Sequence, residues 1–181
     1  MSPRFRVVAE ADLVEIRFDD GGMNLLSSDA LAELSQVIDS LLPNVRALLF
    51  DSGRPGVFAA GADMQEMRAF SARDAEEFSR LGQELFGRIA RLPLLTAAFI
   101  DGDCFGGALD LALAFDLRFA TARSRFSHPG AKIGIVTGFG GTSRWRTQIP
   151  RASARRLFLD SAIVKAADAR SIGIVDAVVE G

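Results

Sequence analysis

The sequence predicts an α/β domain with substantial parallel strand pairing. Strand-like and helix-like periodicities alternate along its 181 residues, and several strand candidates are continuous apolar runs, the pattern of strands buried on both faces. "FRVVAEADLVEIRFDD" reads as two short strands with a turn near Glu10–Asp12. In "SSDALAELSQVIDSLL", Ser27 or Ser28 is available as N-cap, and Leu31, Leu34, Val37, Ile38 and Leu41 recur at helical spacing. "VRALLFDS" reads as a buried strand closed by the turn cluster "GRPG". "SARDAEEFSRLGQELFGRIARL" reads as a long amphipathic helix with a stripe of Phe78, Leu81, Leu85, Ile89 and Leu92, limited by Pro93. "LLTAAFID" is a second buried strand, followed by a glycine turn with its helix and then by "DLRFATA" as a strand. After "GIVTGFGGTSRW" come helical pieces around Arg151–Leu159 and Lys165–Ser171, and "GIVDAVVE" closes as a strand. With no linker, low-complexity tract or clear repeat, residues 1–181 read as a single domain.

Composition excludes several classes. Hydrophobic residues make up 49% and charged residues 24%, against disorder, and a net charge of −2 with no basic block argues against nucleic-acid binding. The single cysteine, Cys104, permits no internal disulfide and reads as a packing residue. No basic start leads into a long apolar run, so neither signal peptide nor membrane span is expected, and the location predicted is cytoplasmic. His128 has no His or Cys at ligand spacing, so no metal site is expected. Gly138 and Gly140 stand at G-x-G spacing, but Ser143 occupies the third glycine's place, and no P-loop or G-x-S-x-G elbow occurs.

One stretch resists a purely structural reading. "DGDCFGGALDLALAFD", residues 101–116, places Gly106, Gly107 and Asp110 in the most hydrophobic part of the chain. A helix-interior glycine costs roughly 1 kcal/mol relative to alanine, and a buried carboxylate needs partners. "FAAGADMQEM", residues 58–67, supplies a second glycine turn after a strand. Glycine spacing alone fits two tight turns or two backbone donors converging on one oxygen.

These strings, with "FSHPGAKIGIVTGFGGTSRW" and in this order, resemble the crotonase (enoyl-CoA hydratase/isomerase) superfamily over essentially the whole chain. The resemblance implies a crotonase-like spiral of ββα units binding an acyl-CoA thioester, with coenzyme A entering as part of the substrate and no other cofactor. It implies an oxyanion hole made by the backbone N–H groups of Ala62 and Gly107, with Gly106 beside it and the coenzyme A moiety along Ala60 and Ala62, Asp63 and Met64. Asp110 falls at one of the two family glutamates and is the expected acid–base group. The second falls on Gly130, which cannot transfer a proton; other family members with glycine there use an aspartate further along, where this chain offers Thr137. His128, two residues before Gly130, can supply acid–base chemistry or fix its loop by hydrogen bonds. Glu66 and Arg68 can border the acyl pocket or form a solvated face.

Family subunits usually continue into a C-terminal helical tail, which this chain, ending at Gly181, is expected to lack. A homo-oligomer, trimer or hexamer by resemblance, is expected because 49% hydrophobic residues and a mean hydropathy of +0.19 imply more apolar surface than one small domain hides. The implied function is an acyl-CoA enzyme of the hydratase/isomerase type. Acyl-CoA decarboxylation on the same scaffold and non-catalytic acyl-CoA binding are the alternatives.

Overall fold

Strands paired in parallel and helices laid between them organise the chain, seen here in a computed structural model that describes residues 3–41 and 43–180. The chain opens with β1 (Phe5–Glu10), β2 (Leu13–Phe18), β3 (Leu25–Leu26) and α1 (Ser28–Asp39). It continues with β4 (Ala47–Ser52), β5 (Gly56–Ala59), β6 (Gly61–Ala62), α2 (Met64–Met67) and α3 (Ala72–Ile89). Next come β7 (Leu95–Ile100), β8 (Gly102–Phe105), α4 (Gly107–Ala112), β9 (Leu117–Thr121), β10 (Arg125–Ser127) and a 3₁₀ turn, Pro129–Ile133. The last elements are α5 (Gly141–Gln148), α6 (Arg151–Asp160), β11 (Val164–Lys165), α7 (Ala166–Ser171) and β12 (Ala177–Val179), and no helix follows β12 among the described residues.

The first sheet has the order β1-β2-β4-β7-β9-β12, antiparallel between β1 and β2 and parallel elsewhere. The second runs β11-β10-β8-β5, and β3 pairs with β6 alone. Each central strand of the first sheet passes directly into a strand of the second, β4 to β5, β7 to β8 and β9 to β10, before the chain turns helical. This is the expected repeat of ββα units wound into a spiral. The second-sheet strands were not separable in sequence, because they are only two to four residues long, two of them starting on glycine.

Each corner is tightly built. Gly102 has φ +120°, and a Cβ there would lie 2.0 Å from the carbonyl carbon of Gly56, so β8 can start against β5 only as glycine. Ser124 Oγ donates to Ile100 O at 2.7 Å and accepts from Gly102 N at 3.2 Å, joining two corners. Asn24, fully buried, places Nδ2 within 3.1 Å of Phe18 O, Ser52 Oγ and Phe58 O and accepts from Asp20 N, tying β2, β4 and β5 together.

The helices follow their caps. Ser27 accepts from Ala30 N and starts α1, which buries Ala30, Leu31, Leu34 and Ile38. Ser71 and Asp74 form a capping box for α3. That helix buries Phe78, Gly82, Leu85, Phe86 and Ile89, whereas Leu81 and Leu92 of the expected stripe are only partly buried. Gly82 shifts the stripe because Phe139 lies on it: a Cβ at Gly82 would sit 2.1 Å from that ring. The "GIVDAVVE" strand is shorter than its apolar run, since Gly173 turns with φ +83° and Ile174 and Val175 are buried before β12 begins.

Across β1 and β2, Phe18 stacks on its strand partner Phe5 with centroids 4.5 Å apart, and Phe50 of the first sheet meets Phe58 of the second at 5.8 Å and Phe115 at 5.5 Å. The sequence has 14 phenylalanines and no tyrosine, so its aromatic packing brings no phenolic hydroxyl that must find a partner.

Candidate active site

A cavity of about 340 Å³ opens where β6 and the β8–α4 turn come together. Its floor is the backbone of Ala60, Ala62, Gly106 and Gly107; Met64, Met67, Phe70, Phe78 and Phe139 form one wall, and His128–Gly130 with Ile135–Gly138 form the other.

The floor depends on glycine. Gly61 has φ +98°, and a Cβ there would lie 2.6 Å from Phe105 O and 3.1 Å from Gly107 N. Only glycine lets β6 pass this close to the start of α4. Asp63 N donates to Leu26 O at 3.3 Å; amides alternate sides along an extended strand, so the Ala62 N–H points away from β3. Ala62 N lies 3.6 Å from the place a Cβ on Gly107 would take. Gly107 is the first residue of α4, where an N–H lacks an intrahelical partner. Gly106, at φ 56°, makes the entry to α4, and its N–H is fastened to Ser127 O at 2.9 Å.

Of the positions the sequence placed along a coenzyme, Ala60, Ala62, Met64, Gly106 and Gly107 line the cavity. The Asp63 side chain is turned elsewhere. It caps α2, accepting from Gln65 N and Glu66 N, and faces a shallow depression shared with Arg4, Asp19 and Asp20. Glu66 is also off the cavity, its Oε2 accepting from Ser28 N at 3.0 Å.

Asp110 lies one turn into α4, fully buried behind the wall. The Thr137 hydroxyl donates to its Oδ2, and Trp145 Nε1 donates to Oδ1 at 3.3 Å. His128 Nε2 stands 3.9 Å from Oδ2. The imidazole is 4% exposed, and neither of its nitrogens has a hydrogen-bond partner among the described residues. It therefore does not fix its loop by hydrogen bonds, one of the two roles open to it in sequence. Phe158, with its centroid 4.7 Å away, and Trp145, edge-to-face with centroids 6.4 Å apart, hold the ring instead. Beside it, a Cβ on Gly130 would lie 2.4 Å from Ile135 O and 3.3 Å from His128 Nδ1. Cys104 is buried close by; burial first, then the negative charge of Asp110, pushes its thiol well above the usual range.

The sequence profile of the enoyl-CoA hydratase/isomerase family matches residues 9–180. The chain belongs to that family. A mitochondrial methylglutaconyl-CoA hydratase of Rattus norvegicus is 34% identical over 161 residues, which are 88% of this chain and 51% of that protein. A short-chain-enoyl-CoA hydratase of Clostridium acetobutylicum is 33% identical over 160 residues, 87% of this chain and 61% of the relative. The chain thus spans between half and two thirds of the length of these relatives. Among solved structures, that of Pseudomonas aeruginosa DspI superposes with a TM-score of 0.94 at 28% identity, covering 98% of this chain and 73% of that one. An enoyl-CoA hydratase from Bacillus anthracis gives 0.92 at 25% identity, covering 98% and 70%.

Within this enoyl-CoA hydratase/isomerase family member, the two glycine turns singled out in sequence do converge on one cavity. Two contributors were missed. Phe139 wedges between Gly82 and Gly107 to close one wall, and Trp145 supplies an N–H to Asp110 from α5, a helix not foreseen. The signal available was "GFGGTSRW", whose adjacent glycines precede a helix as Gly106 and Gly107 do. Among the described residues no cluster of three metal-ligating side chains occurs, and no helix is long and apolar enough to cross a membrane.

Proposed function

We propose that the chain binds an acyl-CoA thioester in this cavity and stabilises its enolate between the N–H groups of Ala62 and Gly107. The observation that carries the reading is the closeness of these two backbone sites on the cavity floor. When a proton leaves the α-carbon, negative charge collects on the thioester oxygen. Donors fixed in advance at that oxygen, away from water, favour the charged state, each by about 3–4 kcal/mol. The apolar wall suits an acyl chain, and the volume falls in the range of small-molecule sites.

The reaction class is of the hydratase/isomerase type. Gly130 favours reactions needing the enolate and one proton-transfer group, isomerisation or decarboxylation of an acyl-CoA, over hydration with two carboxylates. His128 and Asp110 are the groups available for proton transfer. Coenzyme A takes part only as a portion of the substrate. We further infer a cytoplasmic location and, supported by the exposed Leu159 and Ile163 near the end of α6, a homo-oligomer.

Calorimetric titration with butyryl-CoA, joined to a turnover screen over enoyl-, dienoyl- and malonyl-type thioesters, tests the reading. Gly107→Val is expected to lose thioester binding while retaining its circular dichroism spectrum, because the side chain would reach over Ala62 N and into Phe139. Unchanged binding and turnover in that variant would remove the oxyanion assignment.

A further inference from the structure

We propose that His128 moves the substrate's α-proton and that Asp110 acts through it as a positioning residue. This rests on the enolate site proposed above and assigns its proton chemistry to a side chain that backbone donors cannot replace.

Three observations carry it. The imidazole lines the cavity yet has neither nitrogen bonded among the described residues. Packed against Phe158 and Trp145, this buried polar ring leaves its hydrogen-bonding capacity unused among the described residues, which asks for an explanation. The ring also stands where another side chain would grow. Its Nδ1 is 3.3 Å from the point a Cβ on Gly130 would occupy, so histidine fills the space next to a position that carries no side chain. Finally, its other nitrogen faces a prepared carboxylate. Asp110 Oδ2 is 3.9 Å from Nε2, and Thr137 and Trp145 hold Asp110 from two sides while the carboxylate itself lies behind the wall.

Nε2 stands on the Asp110 side, and Nδ1 lies against Gly130 of the cavity lining. Nδ1 accepts the α-proton: the C–H bond breaks, an N–H bond forms, and the electron pair moves to the thioester oxygen against Ala62 and Gly107. The imidazolium so formed faces Asp110, whose charge stabilises it and holds the ring's orientation. Return of the proton to the α- or γ-carbon restores neutral imidazole. No further reactant is required.

The test is exchange of the α-protons of butyryl-CoA with deuterated water, followed by NMR, with thioester binding measured on the same samples. The unmodified protein is expected to bind and to exchange. His128→Gln should bind within a few-fold of the unmodified protein yet exchange at least ~100-fold more slowly. Asp110→Asn should lower kcat for exchange and leave KM in place. Added imidazole should return part of the exchange to His128→Ala, which a merely structural role would not allow. Absence of butyryl-CoA binding by the unmodified protein would overturn the enolate site and this inference with it. Binding without exchange, or exchange undiminished in His128→Gln or carried instead by Thr137 in a Thr137→Val comparison, would overturn this inference alone.

Discussion

Asp110 rests directly on the first residue of α5: a Cβ on Gly141 would lie 1.8 Å from its Oδ1 and 2.5 Å from its Cγ. No side chain fits there without pushing the carboxylate away from His128 and Trp145. Gly141→Ala is therefore expected to slow α-proton exchange on the order of 10²-fold, the scale of a small misplacement in a reacting group. Thioester binding should persist, and urea denaturation should show a loss of about 1–3 kcal/mol from overpacking. Exchange at the unmodified rate would mean that Asp110 need not hold this position.

Hydration should not be recovered by supplying a carboxylate at residue 130. A side chain there starts 2.4 Å from Ile135 O, a backbone atom whose own residue donates its N–H to Gly130 O at 2.9 Å. The loop must open to admit it. The unmodified protein is expected to hydrate crotonyl-CoA poorly, short by the ~10²–10⁴-fold that one positioned acid or base provides. Gly130→Glu should lower Tm and leave that rate no higher. Brisk hydration by either protein, read at the absorbance of the conjugated thioester, would contradict the role given to Gly130.

Phe139 sets the depth of the apolar wall. Its ring fills the notch at Gly82, meets Phe78 and Phe86 edge-on at 5.1 and 5.5 Å, and covers Gly107. Truncation by Phe139→Ala should cost about 3–5 kcal/mol of stability. The enlarged cavity should shift preference from butyryl-CoA toward longer acyl chains in competition calorimetry. An unchanged chain-length preference would place the acyl group elsewhere.

Asn24 is a stability determinant away from the chemistry. Three acceptors on β2, β4 and the end of β5 lie within reach of its amide, and its φ of 54° suits few residues other than glycine and asparagine. Asn24→Ala strands several of them and should lose about 3 kcal/mol in chemical denaturation. A loss under about 1 kcal/mol would mean that water replaces the amide at no penalty.

Cys104 should be inert in the native protein. Burial, then the charges of Asp110 and Asp103, disfavour its thiolate, the form that reacts. Iodoacetamide at mildly alkaline pH is expected to label the urea-unfolded chain and spare the folded one, as mass spectrometry would show. Rapid labelling of the folded protein would show the β8 corner to be open.

Much of this architecture could be read before the fold was known. Ser27 and Ser71 announced their helices, and the apolar runs around Leu48 and Ala98 announced the first sheet. The second sheet was hidden because β5, β8 and β10 are too short for a period to register, and the glycines that open β5 and β8 read as turns. At the site, the glycine turns were legible because positive φ and close approach leave a mark in composition. The side-chain relationships were not. Nothing local in "FSHPG" says that its histidine ends with unpartnered nitrogens beside Asp110, and nothing around Gly82 says that Phe139 will lie on it. Those are tertiary contacts between segments far apart in the chain.

The hydrogen bond from Trp145 Nε1 to Asp110 Oδ1 has a practical corollary. With one tryptophan and no tyrosine in the sequence, the ultraviolet emission of this protein comes from a single indole. That indole is fully buried, in contact with Phe158 and bonded to the carboxylate behind the cavity wall. The molecule thus carries its own fluorophore at the place of interest, and a change in the charge or position of Asp110 is reported as a shift in emission without any label.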